Sequence, residues 1–196
     1  DLARELGVEV ATLRLRHGEL ETAPGIFDGP DAATLAQARD HFVADGLSLS
    51  LTVTPVVGQT LTVPEDLRAE FLAGTKNFGD PVFINRFNAL LDHVHAQLAG
   101  AEVTTLLLGD DLDGYLAVRS SPATLSAFAT FFAQARTHAQ ALWGTQLRVG
   151  FTATLTGLVT EPTRSVLHGL NALSDVVGVS YLPHLADFKV PFATAV

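Results

Sequence analysis

Residues 103–154 read VTTLLLGDDLDGYLAVRSSPATLSAFATFFAQARTHAQALWGTQLRVGFTAT. A short apolar run rich in Val, Thr and Leu opens this stretch, and a second one, Leu147–Thr154, closes it. Between them, a helical pattern with Pro122 in its first turn runs toward Trp143-Gly144 and repeats Phe and Leu at helical spacing. The order strand, helix, strand predicts two parallel strands joined by a right-handed crossover.

The same alternation extends over the rest of the chain. Five short segments bounded by Gly, Asp or Pro have the composition of buried strands. They are Val10–Leu15, Leu47–Pro55, Val103–Gly109, Leu147–Thr154 and Val176–Pro183. Further helical patterns run from Pro30 to Gly46, from Pro81 to Gly100 and onward from Pro162, whereas residues 56–80 are expected to form a long loop. The pattern predicts one α/β domain over residues 1–196.

Length and motifs leave two architectures open. The chain has 196 residues, whereas a complete eight-fold β/α barrel typically needs about 250. An incomplete barrel and a smaller open α/β sheet are both compatible with the periodicity. No glycine-rich phosphate-binding fingerprint follows a strand, and the nearest stretch, Gly109–Gly114, is acidic. This disfavours a nucleotide-binding sheet.

Composition narrows the range of partners. Hydrophobic residues make up 47% of the chain and charged residues 17%, which indicates a folded chain with strands buried on both faces. Twelve Lys and Arg against 21 Asp and Glu give a net charge of −9, so neither nucleic acid nor a membrane surface is an expected partner. Cysteine is absent, which excludes disulfides and thiolate metal sites. No cofactor is expected, and the oligomeric state stays open.

Four segments, in order, resemble the catalytic barrels of clan A glycoside hydrolases, and most closely those similar to arabinogalactan endo-galactosidase. They are LRLRHGELETAPGIFD (13–28), LTVTP (51–55), TLLLGDDLDGYL (105–116) and NALSDVVGVSYLP (171–183). In the first, Glu21, Gly25, Phe27 and Asp28 match the family pattern, and His17 stands where Trp is common. The resemblance implies an incomplete (β/α)8 TIM barrel that contains the second to sixth strands. It also implies a secreted or cell-envelope location.

The resemblance assigns roles to several residues. The family's acid/base Glu follows an Asn at the end of the fourth strand, and Asp111 and Asp110 occupy these two positions. Asp111 is therefore the expected acid/base, shortened by one methylene, and Asp110 the expected contact to the substrate 2-hydroxyl. Tyr181 is expected to hydrogen-bond the nucleophile, which would lie beyond Val196. We expect this chain alone to be inactive.

The residue pattern by itself leaves other roles open. The acidic loop with Asp110, Asp111 and Asp113 also suits an ordinary helix cap or a weak Ca²⁺ site, although no metal site is expected. Arg14 or Arg16 is expected to approach the acidic loop, or else to reach solvent at a strand end. His17 and His184 are candidate sugar contacts, or plain loop residues.

Two functions compete on these grounds. The first is a fragment of a retaining glycoside hydrolase that acts on β-linked poly- or oligosaccharides. The second is a non-catalytic carbohydrate-binding or structural barrel with a decayed active site. An unrelated α/β enzyme with its site at the strand C-termini is a third, weaker hypothesis. An incomplete barrel would also leave two sheet edges unpaired and prone to aggregation.

Overall fold

The computed structural model describes Gly7 and residues 9–180. Five parallel strands form one sheet in which every neighbouring pair follows chain order. They are β1 (Val10–Arg16), β2 (Ser48–Thr54), β5 (Val103–Leu107), β6 (Arg148–Thr154) and β7 (Val176–Ser180). The predicted strands and their parallel order are confirmed. A doubly wound sheet would reverse its strand order part-way, and no reversal occurs among the described strands.

The two faces of the sheet differ in chemistry. Residues paired across neighbouring strands point to the same side of the sheet, and successive residues along one strand point to opposite sides. One face is apolar and packs in a single cluster with the helices; it carries Leu13, Leu15, Leu49, Leu51, Leu106, Val149, Phe151 and Ala153. The other face carries mostly hydroxyl, charged or small side chains; among them are Thr12, Arg14, Ser50, Thr52, Thr105, Arg148, Thr152, Thr154 and Gly178. The apolar cluster lies on one face, while Leu107, Thr52 and Thr54 are buried on the other face, which fits the inner face of an incomplete barrel.

Helices connect successive strands and begin at sequence signals for a helix start. Their bounds are α1 His17–Leu20, α2 Pro30–Ala38, α3 Glu65–Leu72, α4 Pro81–Gln97, α5 Leu112–Val118, α6 Pro122–Trp143, α7 Leu155–Val159 and α8 Thr163–Asn171. A π-helical turn, Arg39–Val43, continues α2. Asp80 and Ser121 cap α4 and α6, each followed by a Pro at the first helical position.

Residues 56–80 are more ordered than the expected long loop. They contain an antiparallel hairpin of β3 (Val56–Val57) and β4 (Thr60–Leu61), followed by α3. In α3 only Leu67 is buried, so its sequence carries a weak apolar signal. The segment that follows sends Phe78, 2% exposed, into the helical layer. This region is therefore part of the core as well as a connection.

Candidate functional site

The candidate site lies at the end of the sheet where parallel strands terminate. Asp110 and Asp111 follow β5, and Thr152 and Thr154 lie among the last three residues of β6. Arg14 lies two residues before the end of β1. In β/α barrels the loops that shape active sites gather at this end. The order of the strands is therefore sufficient to bring these residues to one rim.

Asp110 is a buried carboxylate held by two partners. The Arg14 guanidinium donates to it from the far side of β2, with Nε–Oδ2 at 3.0 Å and Nη2–Oδ1 at 3.5 Å. The Thr152 hydroxyl donates to Oδ1 at 2.9 Å. The Asp110 side chain is 4% exposed, whereas that of Arg14 is 61% exposed. Three strands thus contribute to one polar cluster, and Arg14 keeps donors available on the open inner face.

Arg16 does not belong to this cluster. Its backbone N–H and its guanidinium both donate to Asp31 at the start of α2, at 2.7 and 2.9 Å. This contact ties the end of β1 to the next helix. Of the two arginines that sequence analysis considered, Arg14 is the one beside the acidic loop.

Asp111 has an unusual backbone and an incompletely paired side chain. It adopts left-handed angles, φ 47° and ψ 48°, and is the one non-glycine residue with positive φ in the described part of the chain. Its N–H donates to the Thr152 hydroxyl at 2.7 Å. The buried Oδ1 atom of Asp111 finds no hydrogen-bond partner among the described residues. Buried polar atoms are normally paired. In the described part of the chain, Asp111 Oδ1 shares this exception with His17 Nδ1 and Asn88 Oδ1, so the lack of a partner does not by itself mark a functional position.

Asp113 has a structural role. Its carboxylate accepts from the Thr154 N–H at 2.8 Å and from the Thr154 hydroxyl at 2.7 Å. These bonds tie the first turn of α5 to the end of β6. The acidic loop is therefore divided, with Asp113 fixed inward and Asp110 and Asp111 at the rim. Within the described ranges, no group of three His, Cys, Asp or Glu side chains is arranged to hold a metal ion.

The expectation that His17 contacts a sugar is wrong for this structure. His17 is fully buried at the start of α1, and its ring lies 5.4 Å from that of Phe87 and 5.9 Å from that of Phe83. Its Nε2 lies 2.7 Å from Oε2 of Glu21, one helical turn along the chain. Burial lowers the pKa of His17 despite this neighbouring carboxylate. A neutral imidazole that donates to Glu21 accounts for the contact.

Glu21 is the centre of a buried polar network. Burial alone would raise the pKa of its carboxyl, but hydrogen bonds from His17, the Gly25 N–H and Arg86 outweigh burial and lower that pKa. Arg86 of α4 donates to Glu21 at 3.1 Å and also binds Asp66 of α3. The network joins the loop after β1 to two helices. Glu21 therefore holds that loop against the helical layer.

Two predicted site residues, Tyr181 and His184, lie outside the described residues. Their roles therefore stay predictions.

Sequence analysis overlooked Thr152 and Arg86. In RVGFTAT (148–154), Thr152 and Thr154 alternate with apolar residues, which places both hydroxyls on one face of β6. This pattern could have identified Thr152. Arg86 gave no comparable signal, because 65 residues separate it from Glu21.

Comparison with protein-family models and with curated protein sequences finds no match. Three solved structures with a similar fold are described as glycosidases or carry a glycoside hydrolase family name. The exo-β-1,4-mannosidase Op5Man5 from Opitutaceae bacterium strain TAV5 has a TM-score of 0.60 and 17% identity over 81% of this chain. A β-glucosidase, 1317, has a TM-score of 0.58 and 15% identity over 91% of the chain. The chain has the fold of part of a β/α barrel.

A third structure, GH5_18 from Bifidobacterium longum subsp. longum, has a TM-score of 0.57 and 13% identity over 81% of this chain. The chain spans 28%, 52% and 38% of the lengths of these three proteins. The partial barrel predicted from the sequence is thus confirmed, and its likeness to clan A glycoside hydrolases holds at the level of the fold. In the described part of the chain, no helix has the length and apolar character needed to cross a membrane.

Proposed function

We propose that this chain forms the acid/base side of a glycoside hydrolase-like barrel that acts on β-linked poly- or oligosaccharides. The observation that carries the proposal is the cluster of Arg14, Asp110 and Asp111 at the C-terminal rim of the strands. Support comes from the fold, which the chain shares with structures described as a β-1,4-mannosidase and a β-glucosidase. The finer likeness to arabinogalactan endo-galactosidases makes β-linked galactans a further candidate substrate.

In this proposal Asp110 binds and Asp111 transfers a proton. Asp110 is fixed by Arg14 and Thr152, and a carboxylate retains acceptor sites for a substrate hydroxyl. The Asp111 carboxyl protonates the glycosidic oxygen while a second carboxylate attacks the anomeric carbon and the bond to the leaving oxygen breaks. Water then hydrolyses the glycosyl-enzyme, and Asp111 accepts a proton from it. The second carboxylate would come from a part of the barrel beyond this chain.

Tyr181 and His184 complete the proposed site. Tyr181 would hydrogen-bond the nucleophile, and His184 would contact the sugar at the rim. Both assignments rest on the resemblance of residues 171–183 and on their position just after β7.

Asp111 is expected to be an inefficient general acid/base catalyst. An aspartate carboxyl stops about 1.5 Å short of the position a glutamate carboxyl reaches, by one carbon–carbon bond. Misplacement of about 1 Å can lower a rate about a hundredfold, and general acid catalysis contributes about 10²- to 10⁴-fold. Slow turnover is therefore the expected behaviour of the complete barrel.

The test is hydrolysis of aryl β-glycosides by the natural protein that includes these 196 residues. We expect Asp111→Glu to raise kcat by about tenfold or more and Asp111→Ala to abolish the residual activity. Glu65→Ala is the matched control, since the Glu65 carboxylate is 87% exposed on α3. If Glu gives no gain and Ala no loss, Asp111 is not the acid/base.

One observation favours the alternative, a carbohydrate-binding or structural barrel without catalysis. The Asn-Glu pair of the resembled family is replaced by Asp110-Asp111, and one Asp111 oxygen is buried. Saccharide binding that depends on Asp110, without any hydrolysis that depends on Asp111, would select this function.

A further inference from the structure

Thr152 contacts three consecutive residues of the candidate site. Its backbone N–H donates to the Gly109 carbonyl at 2.9 Å. Its hydroxyl donates to Asp110 Oδ1 at 2.9 Å and accepts from the Asp111 N–H at 2.7 Å. These directions follow from chemistry, because a backbone N–H only donates and the carboxylate paired with Arg14 only accepts. The Thr152 side chain therefore holds Asp110 and Asp111, while the backbone of Asp110 is also held by the hairpin, through Val56 and Gly58.

The turn needs such a support. The left-handed conformation of Asp111 is unfavourable for a residue with a Cβ and persists where surrounding contacts impose it. On the N-terminal side of Asp111, its own N–H donates to the Thr152 hydroxyl. On its C-terminal side, the Gly114 N–H donates to the Asp111 carbonyl at 3.1 Å. These two bonds act directly on the backbone of Asp111, and the Gly58 N–H adds a third by donating to the Asp110 carbonyl at 2.8 Å.

The neighbouring strand leaves room for Thr152. Thr152 is the register partner of Gly178 in β7. A Cβ added at Gly178 would lie 2.9 Å from the Thr152 methyl carbon, closer than carbon atoms approach each other. A side chain at position 178 would therefore require Thr152 or β7 to shift.

We propose that Thr152 is a positioning residue that sets the placement of the Asp111 carboxyl through the Asp111 backbone. The proposal rests on the proposed function for its catalytic consequence. Asp110 keeps its bond to Arg14 when the Thr152 hydroxyl is removed, whereas the Asp111 N–H loses its acceptor. Loss of Thr152 therefore acts on proton transfer more than on substrate binding.

The first arm of the test needs no activity. Hydrogen exchange of the Asp111 amide is measured at single-residue resolution by mass spectrometry in the full chain. Thr152→Val, which keeps the shape and removes the hydroxyl, is expected to speed exchange about two- to twelvefold, the factor for loss of one typical hydrogen bond. Thr152→Ser is expected to restore the wild-type rate. Equal rates in Thr152→Val and wild type would overturn the proposal.

Gly178→Ala gives the same information without removing the hydroxyl. It is expected to speed exchange at Asp111, because a shift of Thr152 weakens the bond that its hydroxyl accepts. If Thr152→Val does not fold, this variant and Thr152→Ser decide the question. Unchanged exchange in Gly178→Ala would then contradict the proposal.

The second arm measures kinetics in the natural protein that includes this chain. Thr152→Val is expected to lower kcat about tenfold or more with KM within about twofold, and Thr152→Ser to recover most of the loss. A rise in KM at constant kcat would contradict a role through Asp111. Faster exchange in Thr152→Val together with an inactive wild type would leave the positioning contact established and refute the proposed hydrolase function instead.

Discussion

Two buried carboxylates, Asp110 and Glu21, are held by the same physical arrangement. Each accepts from an arginine on another element, Arg14 or Arg86, and from a second donor, which is Thr152 for Asp110 and His17 for Glu21. A buried carboxylate without such donors is strongly unfavourable. The two arrangements differ in how exposed the arginine side chain is, since that of Arg14 is 61% exposed and that of Arg86 is 11% exposed. Asp110 therefore faces a site open to ligands, whereas Glu21 belongs to the interior.

The buried His17 predicts a loss of stability in mild acid. Its pKa in the folded chain lies below the unfolded value of 6.5, so below pH 6.5 the unfolded chain binds more protons. The free energy of unfolding should therefore fall as pH drops below 6.5, by at most about 1.4 kcal/mol per pH unit. The lowered pKa of Glu21 adds a second loss below its unfolded value of 4.5.

Urea unfolding across this pH range tests the His17 prediction. In His17→Gln the amide can still donate to Glu21 but does not titrate, so the decline between pH 6.5 and 4.5 should become smaller. The part that remains comes from His93, whose pKa is also lowered by burial. The exposed control His41→Gln should keep the wild-type decline. The same decline in His17→Gln as in wild type would show that His17 is not its source.

At the residue scale, sequence reasoning located contacts that follow from strand order. Arg14 lies near the end of β1 and Asp110 follows β5, so strand order predicts that both reach the same rim. The sequence did not decide between Arg14 and Arg16, nor between this contact and solvent, and the structure shows the contact with Arg14. The burial of His17 was not predictable, because its partners Phe83 and Phe87 come from a helix more than sixty residues away. A histidine after a strand has the same local sequence whether it faces solvent or a helical layer.

Among the elements, α4 and α6 form the centre of the helical layer. Phe87 and Phe131 meet edge to face at 4.8 Å, and Phe78 from the preceding loop packs against Phe71, Phe83 and Phe128 at 5.1–5.3 Å. Edge-to-face contacts add about 0.5–1.5 kcal/mol per pair beyond burial. Phe78, although it lies in a loop, thus has as many aromatic neighbours as the phenylalanines of α4 and α6.

Phe78 should therefore stabilise the fold as strongly as a helix core residue. Phe78→Ala is expected to lower the free energy of unfolding by about 3–5 kcal/mol, measured by urea denaturation. The control Val82→Ala, at a position 49% exposed, should change it by less than about 0.5 kcal/mol. A small effect at Phe78 would mean that residues 73–80 form a mobile connection.

The strands and long helices were predictable because each has a clear apolar period. Residues 56–80 were misjudged because the hairpin strands are two residues long and α3 buries one leucine. The start of α3 did carry a signal, Pro64 followed by two acidic residues in the first turn. Such short elements are stabilised by tertiary contacts, which local sequence does not encode.

On the scale of the molecule, the described sheet is open. β1 and β7 are its edge strands and do not pair with each other within residues 9–180. An unpaired edge offers a row of backbone donors and acceptors to another strand. Val179 at the β7 edge is also 53% exposed.

We therefore expect the 196-residue chain to self-associate. Sedimentation velocity should show an average mass that rises with concentration in the micromolar range. Val179→Lys should reduce the association, because a charged edge residue opposes strand addition. Val118→Lys, at a position 64% exposed at the end of α5, should leave it unchanged. A monomer at every concentration would contradict the open-edge account.

We propose that the rim formed by Arg14, Asp110 and Asp111 binds β-linked saccharides. The most direct test is calorimetric titration of the chain with β-1,4-linked manno-, gluco- and galacto-trisaccharides, with α-linked maltotriose as the comparison. We expect at least one β-linked trisaccharide to bind, with a Kd in the millimolar range, and maltotriose not to bind. Asp110→Ala and Arg14→Ala should remove the binding and Glu65→Ala should retain it. Equal binding of maltotriose, or β-saccharide binding that survives Asp110→Ala, would contradict the claim.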